Sequence, residues 1–203
     1  MSILQGGLTV RRYRVYGEVK DTFRDDFEEA LQRYAFHEPR SASYGEEVEG
    51  WVLVQNLLDT DFSLRDRWLV NQYLIAALRV DKRVLPAKLF RAHLDKRLAA
   101  WCQENARAKA PASVRGDLRE ALTVEMLART LPRVSVYEFC WNVADGWVLF
   151  GNTSDGANDR FRKRFRKTFG LELVPATPLD FLATRPELAA QLEVAGVSDI
   201  RLN

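Results

Sequence analysis

VSVYEFCWNVADGWVLFG, residues 134–151, runs straight into NTSDGANDRFRKRFRKTFG, residues 152–170, and these two segments decide the fold. Asp145-Gly146 is the strongest two-residue signal for a tight type I′ turn. Pairing outward from that turn sets Val143 opposite Val148 and Trp141 opposite Phe150, and strand alternation adds Phe139 and Tyr137 to the same face. In the second segment Ala157, Phe161, Phe165 and Phe169 recur every four residues, the spacing of one apolar helix face. That stripe is expected to lie on the aromatic face of the hairpin, with Gly170 as the helix C-cap. Held in this way, Arg160, Arg162, Lys163, Arg164, Arg166 and Lys167 point outward or sideways.

This block stands out because the chain as a whole is nearly neutral, with a formal net charge of +2 over 203 residues. The charge is segregated along the sequence. From Glu18 to Glu49 there are ten acids against four bases. From Arg79 to Lys109 the nine bases Arg79, Lys82, Arg83, Lys88, Arg91, Lys96, Arg97, Arg107 and Lys109 face three acids. Joined to the block at Arg160, this segregation points to a polyanionic partner, nucleic acid before others.

A chain of this length buries roughly 70% of its unfolded surface and needs no disulfide or metal staple. Cys102 falls in an apolar helical stripe and Cys140 in a strand, without CxxC spacing, so both read as buried free thiols of a reducing cytosol. Met1 to Thr9 lack the apolar run of a signal peptide, and no segment approaches the ~18 apolar residues of a membrane span. A soluble, cytoplasmic protein without membrane contact is expected.

Outward from the hairpin, Leu8 to Tyr16 reads as a first strand carrying Arg11, Arg12 and Arg14. Thr22 and Asp25 open a helix whose buried face is Phe23, Phe27, Leu31 and Tyr34. A polar loop from Phe36 to Gly50 precedes two strands, Trp51 to Leu58 and Leu69 to Val80. Pro86 opens a helix bearing Leu89, Phe90, Leu94, Leu98, Trp101 and Cys102 at helical spacing. After a basic, Ala-rich linker from Ala106 to Ala112, Asp117 and Glu120 form a capping box for a second helix that Pro132 stops. Leu171 to Val174 reads as a last strand. The class is α+β, with two β-rich halves and their packed helices flanking an inserted pair of long helices. The segments are a β-α-β-β lobe at 1–85, the helical pair at 86–131, a hairpin-helix-strand lobe at 132–178 and a short helical tail at 179–203.

Catalytic groups are sparse. His37 and His93 stand alone, outside any metal-ligand spacing. The loop Gly151 to Gly156 lacks the Gly-Lys-Ser/Thr of a phosphate-binding turn, although its amides can serve a phosphate. A metal-dependent nuclease needs converging carboxylates, and Asp59, Asp61 and Asp66, Glu46, Glu47 and Glu49, or Glu18 beside Lys20 are the candidates. None follows a strand in an arrangement that forces convergence. No cofactor and no enzymatic activity are expected. The alternatives that compete with nucleic-acid binding are a protein-interaction module joining acidic and basic faces, that nuclease, and a basic amphipathic helix on an anionic membrane.

Three further places narrow the partner. Gly50-Trp51-Val52, the run Arg79 through Lys82-Arg83-Val84-Leu85-Pro86, and Leu131-Pro132-Arg133 resemble, in order and approximate spacing, the recombination-associated protein RdgC family. The hairpin, the next helix and Val174-Pro175 resemble it too, so the similarity covers most of Leu8 to Pro178. The resemblance implies a cytoplasmic, nucleoid-associated, non-enzymatic protein that binds double-stranded DNA with little sequence preference. It also implies a homodimer forming a ring around the duplex and restraining recombinase filaments. By position in the motifs it assigns basic contacts to Arg79, Arg83 and Arg133. Two departures are a tail that is short beyond Pro178 and Val134-Ser135 where the family has Ala-Phe, so an aromatic contact and one ring-closing contact are expected to be missing.

Overall fold

The structure is a computed structural model and describes residues 9–39, 47–177 and 187. In chain order the described elements are β1 Arg11–Tyr16, α1 Phe23–Arg33, β2 Glu47–Val52, a 3₁₀ turn Arg65–Arg67, β3 Leu69–Val70 and β4 Tyr73–Lys82. They continue with α2 Ala87–Glu104, α3 Ala112–Arg129, β5 Arg133–Asn142, β6 Trp147–Phe150, α4 Asp155–Phe169 and β7 Glu172–Pro175. The strands pair in the order β2-β4-β5-β6-β1-β7, with β3 beside β4, and the ladders of β1 with β6 and β7, of β4 with β2 and β3, and of β5 with β6 are antiparallel. The fold is therefore α+β, with the long helices α2 and α3 inserted between β4 and β5. The tail expected at 179–203 lies outside the described residues apart from Glu187.

Compactness does not follow the four continuous sequence segments. Among the described residues, one unit combines 9–27, Leu69–Ile75 and 139–177, and the other combines 28–39, 47–68 and Ala76–Glu138. Strands β4 and β5 each begin in one unit and end in the other, so contiguous cuts cannot separate the two.

The first unit is built on the hairpin. Its register pairs Phe139 with Phe150 and Trp141 with Val148, two residues away from the expected pairing, because the loop is longer than a two-residue turn. Asn142 is the cause. Its Nδ2 donates to Asp145 Oδ2 at 2.7 Å while its Oδ1 accepts the Asp145 N–H at 3.0 Å, and the Gly146 N–H bonds the Asn142 carbonyl at 3.0 Å. Gly146 supplies the positive φ of +66° that closes this loop. A shift by an even number leaves each side chain on its own face, so Phe139, Trp141, Val148 and Phe150 form the inner face as expected, and all are buried.

Helix α4 lies on that face. Ala157, Phe161 and Phe165 are buried, Phe161 stacks on Phe150 at 4.1 Å and 10°, and Phe165 meets Trp141 edge-on at 5.1 Å. Each such ring removed from water contributes about 1.5–3 kcal/mol. Gly170, at φ +70°, ends the helix with its N–H on the Arg166 carbonyl at 2.9 Å. The helix start is fixed by Asn158, 1% exposed, which the sequence reading did not single out. Its Nδ2 donates to the carbonyls of Asn152 and Ser154 at 3.0 and 2.7 Å, and its Oδ1 accepts the Tyr13 hydroxyl at 2.5 Å. Burial pushes the Tyr13 hydroxyl above its ordinary pKa against the opposing pull of Arg11.

In the second unit β2 begins at Glu47 and stops at Val52, whereas a strand from Trp51 to Leu58 was expected. Three Asx turns divert the chain: Asn56 Oδ1 accepts the Leu58 N–H, Asp59 Oδ1 that of Asp61, and Asp61 Oδ1 that of Ser63, at 2.9–3.0 Å. The single strand expected from Leu69 to Val80 is a hairpin instead. Asn71 takes φ +56° and pairs Val70 with Tyr73, a left-handed position that Asn tolerates. Helix α3 starts at Ala112 after Pro111, so Asp117 and Glu120 lie inside the helix rather than at its cap. Neither cysteine is fully buried: Cys102 and Cys140 are free and half-buried, and burial raises the Cys140 thiol pKa.

Candidate nucleic-acid interface

In the first unit the phenylalanine stripe fixes which way the basic block of α4 turns. With Phe161 and Phe165 pinned to the sheet, Arg162, Lys163, Arg166 and Lys167 are exposed, while Arg160 and Arg164 sit half-exposed on the flanks. Arg162 donates from Nε to the Leu173 carbonyl at 3.1 Å, and Arg166 pairs with Glu172 at 2.8 Å. Both contacts are to β7 and hold the guanidinium stems against the sheet edge. No acid interrupts residues 160–167. On the sheet itself Tyr13 faces α4, so alternation turns Arg12 and Arg14 to the opposite face. There Arg12 lies 5.3 Å from the Trp147 ring and Arg14 donates to the Asp145 carbonyl at 3.1 Å.

The second unit carries the remaining predicted residues, and one of them is placed where no phosphate reaches it. Arg79 is 5% exposed, donates to Asp81 from Nε at 2.8 Å and from Nη2 at 2.6 Å, and lies 4.1 Å over the Phe36 ring. A third bond runs to the Leu57 carbonyl at 3.2 Å. The Asp81 hydrogen bonds hold the guanidinium pKa above its ordinary value, against the opposing effect of burial. Arg79 is thus a buried structural cation. Lys82 is half-exposed and paired with Glu47 at 2.7 Å, and Arg83 is half-exposed beyond the strand end. Along α2, Lys88, Arg91 and Lys96 are exposed, and Arg97 bonds Glu125 of α3, whose carboxyl pKa it lowers. Arg107 and Lys109 lie exposed between the helices, and Arg133 is exposed at the start of β5. Arg115 and Arg119 of α3 also converge on α2, around clefts that Arg91 lines too. The four-residue step between them was the available signal, hidden by Asp117 and Glu120 on the same helix.

Of the carboxylates that competed for a nuclease reading, Asp59, Asp61 and Glu47 are committed elsewhere, Glu47 to Lys82, and Glu46 lies outside the described residues. Asp59 bonds Arg67 at 2.6 Å, and the Asp61 amide followed by the Arg67 side chain lowers its pKa. Asp61 is similarly lowered by the side chain and amide of Ser63. Among the described residues no group of three or more His, Cys, Asp or Glu side chains is arranged to hold a metal ion. No helix among them is long and apolar enough to cross a membrane.

A family model described as "Putative exonuclease, RdgC" matches residues 9–190. The chain belongs to the RdgC family. Membership implies a recombination-associated nucleoid protein. Gly50-Trp51-Val52, one of the motifs that carried the resemblance, has a packing reason in this RdgC-family chain. Gly50 lets β2 run against Ala35 and Phe36, where the Phe36 N–H bonds the Trp51 carbonyl at 2.9 Å and the Trp51 N–H bonds the Tyr34 carbonyl at 3.0 Å. No curated protein matches the chain.

Proposed function

We propose that this protein is a non-enzymatic, double-stranded DNA-binding protein of the nucleoid. It reads phosphates rather than bases, and it works as a homodimer that clamps or encircles the duplex and so limits recombinase access. The observation that carries the binding is the α4 face: bases at residues 160–167 without an intervening acid, on a helix anchored by buried phenylalanines. A row of cations on a pre-formed helix meets polyphosphate without a backbone ordering cost, and the affinity comes from counterion release. The exposed bases of the second unit, Lys88, Arg91, Lys96, Arg107, Lys109 and Arg133, with the half-exposed Arg83, supply further phosphate contacts. Family membership supports the dimer and the recombinase connection. The absence of enzymatic action is supported by the loop carboxylates, which form turns and an ion pair.

Eight residues of α4 span about 12 Å, enough to meet about four phosphates along one strand of a duplex, which carries one charge per ~3.4 Å of axis. Four contacts lower the affinity about a hundredfold between ~50 and ~200 mM salt. Replacing Lys163 and Lys167 with Glu is expected to flatten that salt dependence by about two phosphate contacts without changing sequence preference. Duplex binding by the wild type that is indifferent to salt sinks the proposal, as does an unchanged slope in the variant. Magnesium-dependent degradation of DNA by homogeneous protein overturns its non-enzymatic part. A monomeric mass across the concentrations that bind DNA overturns the clamp.

A further inference from the structure

The seam between α2 and α3 holds a feature that phosphate contacts do not explain. On α2, Arg91, Leu94, Leu98 and Cys102 follow one another at three- and four-residue steps, and on α3 Arg115, Arg119 and Thr123 do the same. These two stripes wall a pair of clefts of about 410 and 540 Å³, and Arg91 and Leu94 line both. Leu85, Phe90 and Leu94 floor one end, and Leu98, Cys102 and Ala110 the other. No residue of α2 is fully buried, and Leu89 is 51% exposed. The rim carries Arg91, Lys109, Arg115 and Arg119 against the single acid Asp95.

We propose that this groove docks an extended acidic segment of a partner protein, one whose carboxylates alternate with aliphatic or aromatic side chains. Charge complementarity selects the occupant. An apolar segment would leave four cations without counter-charge beside a desolvated surface, and bare phosphates would cover an apolar floor with charge. Apolar anchors seated on the floor, with carboxylates on the guanidinium rim, satisfy both. From Ala87 to Cys102 the helix runs about 22 Å, the reach of roughly six or seven extended residues, which fits a peptide and leaves most of the groove empty around a small molecule. Arg91 and Lys109 also stand among the proposed phosphate contacts, so the two ligands share those side chains, and uncharged cleft-filling substitutions separate peptide docking from DNA binding.

The experiment uses the full chain and a fluorescein-labelled peptide of alternating Asp with Phe or Leu, beside a control in which Ser replaces each apolar residue. Anisotropy is read at ~0.15 M salt. Thr123→Trp and Ala99→Trp fill the two clefts without altering charge. The alternating peptide is expected to bind at least about tenfold more tightly than the Ser control, and each Trp variant to lose about tenfold while retaining duplex DNA affinity. Ala99 is exposed on its helix, so Ala99→Trp carries the test if Thr123→Trp loses its helical circular dichroism. Equal affinity for the two peptides, or wild-type affinity in the folded Trp variants, overturns the proposal. So does a concentration-dependent doubling of mass that these substitutions abolish, which assigns the groove to a second copy of the chain.

Discussion

Replacing Gly50 with Ala adds one methyl group to the interior of β2, and the structure sets how much that methyl disturbs. An added Cβ lies under 3.0 Å from the Phe36 Cα and N and 2.7 Å from the Ala35 carbonyl carbon. All three obstacles are backbone, so no side chain can rotate aside and the strand or the segment after α1 must retreat. That movement breaks or lengthens the two bonds between Trp51 and the Tyr34 and Phe36 backbone, worth about 0.5–1.5 kcal/mol each. It also loosens Trp51, now 0% exposed, adding the ~1–3 kcal/mol of an overpacked site. The sum is about 2–6 kcal/mol, or a fall in Tm of roughly 4–24 °C at ~2–4 °C per kcal/mol for a chain of this size. Gly116 is the control, because an added Cβ there meets nothing within 4 Å on the exposed face of α3. Gly116→Ala is expected to stabilise by about 0.5–1 kcal/mol through helix propensity. Thermal and urea unfolding of both variants provide the assay. A Gly50→Ala protein that melts with the wild type, or two glycines that shift stability in the same direction, refutes the reasoning.

Asp81→Ala leaves the Arg79 guanidinium buried without its carboxylate and is expected to cost about 3–5 kcal/mol, whereas the joint replacement Arg79→Met with Asp81→Leu is expected to cost far less. Urea midpoints of the three proteins check this, and equal losses in both variants contradict it. Phe161→Ala removes a ring that stacks on Phe150 and contacts Tyr13 and Phe139. It should destabilise by about 3–5 kcal/mol, measured by the same unfolding curves. Asp59, whose pKa is lowered from 3.8 by the Asp61 amide and then by Arg67, contributes stability that is fully present above that value and is lost as pH falls through the folded-state pKa. Asp59→Asn is therefore expected to be less stable at neutral pH and to lose less on acidification, seen as a shallower fall in urea midpoint between about pH 5 and about pH 2.

Much of the first unit was legible because its signals were local and agreed. A four-residue recurrence of apolar residues, a Gly after the last of them and a Gly at the hairpin turn each follow from backbone geometry alone. The hairpin register escaped because the buried Asn142 side chain adds two hydrogen bonds to the loop, an energy that pair statistics on Asp-Gly do not contain. In the second unit the apolar run of β4 gave no boundary, since Ala76 to Asp81 are buried on both faces and alternation disappears. The early start of α3 escaped because Pro111 alone marks it. Among the candidate contacts, Arg79 reads as a surface base both from charge counts and from its place in the family-like motif, and neither carries information about burial. Arg115 and Arg119 were passed over because their helix is not basic on average, only along one edge.

That doubly buried β4 carries a consequence for assembly. A strand apolar on both sides gains nearly the same burial when it slips by one residue against β2, so greasy contacts alone cannot distinguish native from slipped pairing. Arg79 and Asp81, two residues apart and on one side, remove the ambiguity. A one-residue slip swings both together to the opposite side, where the pair must be buried without the Phe36 ring and the Leu57 carbonyl that receive it. The ion pair thus acts as an index mark: it adds little to the finished sheet, and it makes every neighbouring misalignment expensive.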